Sequence, residues 1–249
     1  LLLLADEPLI TWVHYLPIIT TIICVVFATQ LFWRCYHRST SLHLWWWAIG
    51  VVAYGSGTAI ESVITVSGNS VALTKAWYIA GALLGAYPLS QGTVFLLLKR
   101  RTAWLLTCLT LPVALALIAL VLASPVDVSV LEPHRPSGAI LEWQWLRSYT
   151  PILNLYAAIF LIGGAIVSTI RYQGSTVHGD GARATGNSFI ALGAIIPGIG
   201  GGMAKAGFVE ALYVAEMVGI TFIWLGYWIC VTAPTTPKHN VPNNKETPA

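Results

Sequence analysis

Few residues of this chain could do chemistry, and most of them lie inside apolar runs. Glu61 is the only charge in LHLWWWAIGVVAYGSGTAIESVITVSG, residues 42–68. A carboxylate at the centre of a membrane helix costs about 2.5–3.5 kcal/mol on insertion scales, so Glu61 is expected to face protein or water. Trp47, Gly50, Tyr54, Gly57 and Glu61 alternate spacings of three and four, which places them on one helix face. Glu216 lies in FVEALYVAEMVGITFIWLGYW, about two turns inside its run, and Glu61 lies about two turns from the end of its own. Both acids are therefore expected at similar depth. Lys205 and Lys75 fall nearer the same surface, and His14, Tyr15, Tyr78, Arg147, Tyr149 and Asn154 fall near the same level.

Two readings of this cluster stand open. Glu61 and Lys205 are a satisfied structural pair, with Glu210 and Lys75 as solvated helix ends. Alternatively, Glu61, Lys205, Glu216, Lys75, Tyr54, His14 and Asn154 line an outward-facing pocket for a ligand or ion. A proton path needs acids at several depths. The other half of the bundle offers only uncharged candidates such as Gln30, Gln91 and Asn187.

Catalytic signatures are missing. No HExxH or GxSxG occurs, and Ser62 and Ser90 have no evident base, so no enzyme is expected. In GAIIPGIGGGMAKAG, Gly198, Gly201, Gly202 and Lys205 share a face, with Gly193 and Gly200 beside it. Small residues let helices approach closely in lipid. A phosphate loop needs Ser or Thr after the lysine, and Ala206 stands there. Cys24, Cys35, Cys108 and Cys230 form no CxxC and are read as apolar packing, although Cys35 and Cys230 sit where palmitoylation is conceivable. His14 and His43 are expected at opposite membrane faces and cannot share a metal. Each has the chemistry to ligate a haem or pigment singly, and an interfacial, hydrogen-bonded histidine is the simpler reading. No cofactor and no metal are expected.

The elements that position these residues follow from composition. Hydrophobic residues make up 56% of the 249, charged residues 9%, and mean hydropathy is +0.72. Soluble domains carry about 25% charged residues. An all-α bundle of seven transmembrane helices is expected, with runs at about 10–33, 43–66, 73–98, 103–123, 149–171, 184–207 and 210–232, as one membrane domain 1–232. Arg34, Arg38, Lys99, Arg100, Arg101, Arg171, Arg183, Lys238 and Lys245 fall on one side, and Lys75, Arg135, Arg147 and Lys205 on the other. The richer side is expected to be cytoplasmic, which puts the N-terminus outside and the C-terminus inside a bacterial-type plasma membrane. The net charge of +3 is spread along membrane edges, so nucleic acid is not an expected partner.

The longest linker, 124–148, holds Pro125, Pro133 and Pro136, which oppose a helix through its first half. Its ILEWQWLR segment fits a short strand or a segment lying on the interface. The tail 233–249 is rich in proline and polar residues. It is expected to be disordered and too short for an output domain. Pro88 and Pro197 suggest a transporter-like repeat, but their surroundings, GAYPLSQG and AIIPGIGGG, share too little to carry it.

Seven helices invite comparison with microbial rhodopsins, yet no lysine lies between Glu210 and Val231 to bind retinal. WWWAIGVVAYGSGTAIES, with its late Glu61, and the proline in YPLSQG resemble the seven-helix membrane region at the N-terminus of bacterial sensor histidine kinases. The likeness covers about a third of the chain. It implies sensing of a ligand or of membrane state and relay to an output domain. The chain departs from that family in ending after the seventh helix, so a separate protein partner is expected. The function expected is a non-enzymatic membrane sensor, receptor-like, with lipid, a small-molecule ligand and a membrane or cytoplasmic protein as partners. The alternatives are an accessory subunit of a membrane complex, lipid- or pigment-associated, and a small transporter.

Overall fold

The computed structural model describes residues 11–38 and 41–234. The expected disordered tail lies outside the described residues from 235 onward, as do Lys238 and Lys245. Seven helices are long and apolar enough to cross a membrane: α1 Trp12–His37, α2 Leu42–Ser67, α3 Val71–Leu97, α4 Arg100–Ala123, α5 Leu146–Gln173, α6 Asp180–Lys205 and α7 Val209–Thr232. The chain is an all-α, multi-pass integral membrane protein. Short links place the ends of α1, α3, α5 and α7 on one face, here the short-loop face. The opposite, long-loop face carries the 124–145 connection.

Each helix splits into a packed stripe and a lipid stripe. In α1, Cys24, Phe27, Leu31 and Cys35 are buried at helical spacing, while Ile18, Ile22 and Val25 point outward. In α2, Gly55 lies against Cys24 of α1, while Gly50 and Gly57 lie against Leu89 and Gly81 of α3. α2 is thus held between α1 and α3, and α7 between α1 and α6. Two apolar cores result. One joins α1, α2 and α7 around Phe27, Leu31, Val51 and Ile220. The other joins α3, α4 and α5 around Tyr87, Leu117 and Leu153.

The tightest seam is between α6 and α7. Gly186, Gly193 and Gly200 recur every seven residues, the repeat that keeps one helix face on a neighbour. A Cβ on Gly193 would meet the Gly219 carbonyl oxygen at 2.6 Å, and one on Gly186 would meet the Gly226 carbonyl oxygen at 2.7 Å. The stripe expected to make close approach, Gly198, Gly201 and Gly202, has nothing within 4 Å of its Cβ positions. The neighbouring stripe makes the contact because its seven-residue spacing stays in phase with the glycines of α7.

α3 is interrupted. A π-helical turn spans Tyr78–Leu83, and a regular helix resumes over Tyr87–Leu97 with Pro88 in its first turn. Proline lacks an N–H and suits a helix start, so the break precedes it. The Asn154 side chain of α5 donates to the Ala82 carbonyl at 3.3 Å, satisfying backbone that the wider turn frees.

The 124–145 connection contains two short 3₁₀ turns, Val128–Val130 and Gly138–Ile140. An isolated antiparallel bridge joins Val126 to Leu141, and among the described residues this is the extent of β-structure there. Asn69 fastens the connection to the end of α2, donating to the Glu132 carbonyl at 2.9 Å and the Arg135 carbonyl at 3.1 Å.

Candidate functional site

Three helices bring polar side chains together about two turns below the long-loop face. α2 supplies Glu61, whose side chain is turned from lipid toward α3 and α7 and is only 2% exposed. α3 supplies Trp77, whose Nε1 donates to Glu61 Oε1 at 2.6 Å. α7 supplies Glu216, which lines the same cavity as Glu61. Tyr54, two turns along α2 from Glu61, donates its hydroxyl to the Glu216 main-chain carbonyl at 3.0 Å.

The backbone geometry follows from glycine. A Cβ on Gly57 would come within 2.9 Å of Gly81 Cα, so only glycine lets α2 and α3 close beside the acids. Thr58 completes the wall, with its hydroxyl bonded to the Gly55 carbonyl at 3.1 Å and to the Thr21 hydroxyl at 2.9 Å. These groups enclose a cavity of about 30 Å³, lined by Tyr54, Gly57, Thr58, Glu61, Trp77, Gly81 and Glu216. That is room for one water molecule or one small ion.

The site is open in hydrogen-bonding terms. Glu61 Oε2 and Glu216 Oε2 are buried and have no hydrogen-bond partner among the described residues. Among the described residues, no basic side chain pairs with them. Two ionised carboxylates do not share a cavity at this depth without positive charge between them.

The other expected site residues go elsewhere. Lys205 is exposed in the last turn of α6. The expected Glu61–Lys205 pair does not form; the ion pairs among the described residues are Glu132–Arg135 at 2.7 Å and Asp180–Arg183 at 2.6 Å. A lysine near a helix end reaches the membrane surface more cheaply than it descends two turns to a buried acid. Lys75 turns away from Glu61, and its Nζ donates to the carbonyls of Leu122 and Ser124, each at 2.8 Å, at the end of α4. Terminal helix carbonyls lack intrahelical partners, which accounts for this pull. His14 bonds Thr11 and packs edge-on against Tyr213, with ring centroids 5.7 Å apart. Asn154 is exposed and serves the α3 turn. Of the residues singled out from sequence, the structure brings together Glu61, Glu216 and Tyr54.

The uncharged polar residues of the other half are satisfied. Gln91 donates to Thr107 at 2.5 Å and accepts from the Tyr156 hydroxyl at 2.7 Å. Gln30 accepts from Trp224 Nε1 at 2.8 Å, and Asn187 donates to the Arg183 carbonyl at 2.8 Å. Sequence reasoning missed Trp77. The available signal was depth: Trp77 lies six residues into α3, as Glu61 lies six from the end of α2.

No cluster of three or more His, Cys, Asp or Glu residues with metal-binding geometry occurs among the described residues. The arrangement can bind and release positive charge. Comparison with protein-family models, with curated proteins and with solved structures finds no match to this chain.

Proposed function

We propose that the chain is a non-enzymatic, receptor-like membrane sensor. A small ligand enters the Glu61–Glu216 pocket and resets the packing of α7 against α1 and α2, and a partner protein reads the movement at the short-loop face. One observation carries this reading: Glu61 and Glu216, from two different helices, line one small cavity, and each has a buried oxygen without a partner. The occupant of that gap sets the balance of attraction and repulsion between α2 and α7. Among the described residues, seven lysines and arginines on the short-loop side, against four opposite, support a cytoplasmic short-loop face and a bacterial-type plasma membrane.

The experiment is a distance measurement between spin labels at Tyr36→Cys and Trp228→Cys, exposed positions near the short-loop ends of α1 and α7, in a background without native cysteines. Glu216→Gln is expected to shift the distance distribution. Identical distributions for both proteins would refute the sensor reading.

An accessory-subunit role has its own supporting observation, the open small-residue face at Gly198, Gly201 and Gly202 on α6, which suits a neighbouring helix. Gentle-detergent purification from native membranes, with mass and absorption spectrum recorded together, separates the roles. Stoichiometric co-purification or bound pigment would favour the subunit.

A further inference from the structure

We propose that the pocket binds a single monovalent cation, a proton or a sodium ion, between the Glu61 and Glu216 carboxyls. This deepens the sensor reading and rests on it for the consequence of binding, while the binding itself stands on the geometry.

Charge demands a cation. Glu61 is 2% exposed, both acids line the cavity, and Oε2 of each is buried without a partner. No lysine or arginine lines the cavity. α1 contributes Cys24 and, edge-on against Tyr213, His14; α2 contributes Tyr54, and α7 contributes Tyr213. α3 contributes the indole of Trp77 and the backbone of Gly81, and α6 does not line the cavity. Arg135 and Glu210 are the charged groups farther out on the Tyr213 side. The Trp77 N–H supports one negative charge. The second is left for the ligand.

The donor set and the space fix the ligand's class. The side-chain ligands on offer are all oxygens: two carboxyls, the Tyr54 phenol and the Thr58 hydroxyl. No histidine or cysteine lines the cavity, so soft transition metals are not matched. Calcium is close to sodium in size and also takes oxygen ligands, so the charge count separates the two. One singly charged ion leaves the pair with a net charge of minus one, which Trp77 stabilises. Either source completes the same contact: a proton bridges the two oxygens directly, and a sodium ion sits in the cavity between them.

The test uses the full chain in lipid nanodiscs, with thermal midpoint read by tryptophan fluorescence and carboxyl protonation read by infrared spectroscopy. The sodium arm exchanges choline for sodium at pH 8. The proton arm runs from pH 9 to pH 5 in choline alone. In one arm the wild-type midpoint is expected to rise by about 2–4 °C, the shift for about 1 kcal/mol in a chain of this size. Glu61→Gln and Glu216→Gln are each expected to abolish it. A sodium response lost in the variants assigns sodium. A pH response with a protonated-carboxyl band that Glu216→Gln removes assigns the proton. Should one variant fail to fold, the other and the wild-type titrations still decide. A flat wild type in both arms, a response retained by the variants, or a response to calcium alone overturns the proposal. A cation response without change in the label distance would refute the sensor reading and leave the site. A distance change in Glu216→Gln with both arms flat would do the reverse.

Discussion

The Glu61 pocket and the Gln91 cluster are both buried, both polar and both span helix boundaries, yet one is closed and the other open. Gln91 sits between Thr107 and Tyr156 and uses its amide nitrogen and its oxygen. Tyr87 and Thr110 bond each other close by at 2.9 Å. In the Glu61 pocket, two acids line one cavity and each has a buried oxygen without a partner. A chain that satisfies its buried amides so fully at Gln91 is not short of ways to satisfy an acid. A closed network specifies structure, whereas an open one of like charges has a place for something else.

The largest effect is expected on the closed side. Gln91→Ala opens a cavity in the α3–α4–α5 core and strips partners from Thr107 and Tyr156. It should destabilise the protein by about 2–4 kcal/mol, measured by unfolding in mixed micelles. Glu216→Gln keeps volume and offers Glu61 a donor, so it should cost about 1 kcal/mol or less. If the two variants unfold alike, the distinction between closed and open clusters fails.

The contrast also shows what the sequence revealed and what it hid. Seven helices and the shared depth of Glu61 and Glu216 were legible, because the length of an apolar run and position within it fix height in a membrane. The rotation of each helix was not. Glu61 and Lys205 have opposite charge and lie on the same side, yet Lys205 remains at the surface. The glycines of α6 were legible as packing residues. Which stripe packs depends on the phase of Gly219 and Gly226 in α7. Lys75 was read as a pocket residue because its binding to the carbonyls of Leu122 and Ser124 depends on where α4 ends.

A smaller effect tests the open side directly. Trp77→Phe preserves most of the packing and removes the N–H that Glu61 Oε1 accepts at 2.6 Å. A loss of about 1–2 kcal/mol is expected, at the upper end for hydrogen bonds inside membranes because the acceptor is an acid. The same unfolding assay on Lys205→Met should give a change within about 0.5 kcal/mol, as for other exposed positions. A large loss there would restore the Glu61–Lys205 pair and close the pocket's charge balance from within.

The smallest effect concerns the long-loop connection, whose own acid must be separated from the pocket's pH response. Asp127 starts the Val128–Val130 turn. The Ser129 hydroxyl at 2.6 Å, and secondarily the Ser129 N–H at 2.9 Å, hold its carboxyl below the usual carboxylate range. Because the folded-state value is the lower one, Asp127 contributes its full stabilisation above the ordinary aspartate value of about 3.9. That contribution is lost as pH falls through the lower folded value. Asp127→Asn should therefore flatten the acid end of a midpoint-against-pH curve and leave the curve unchanged above about pH 5. The residue is fully exposed, so the change is small. Its value is in the separation: a pH response that survives Asp127→Asn above that limit and vanishes in Glu216→Gln belongs to the carboxyl pair. One that vanishes in Asp127→Asn arises in the loop and leaves the pair without a measured proton.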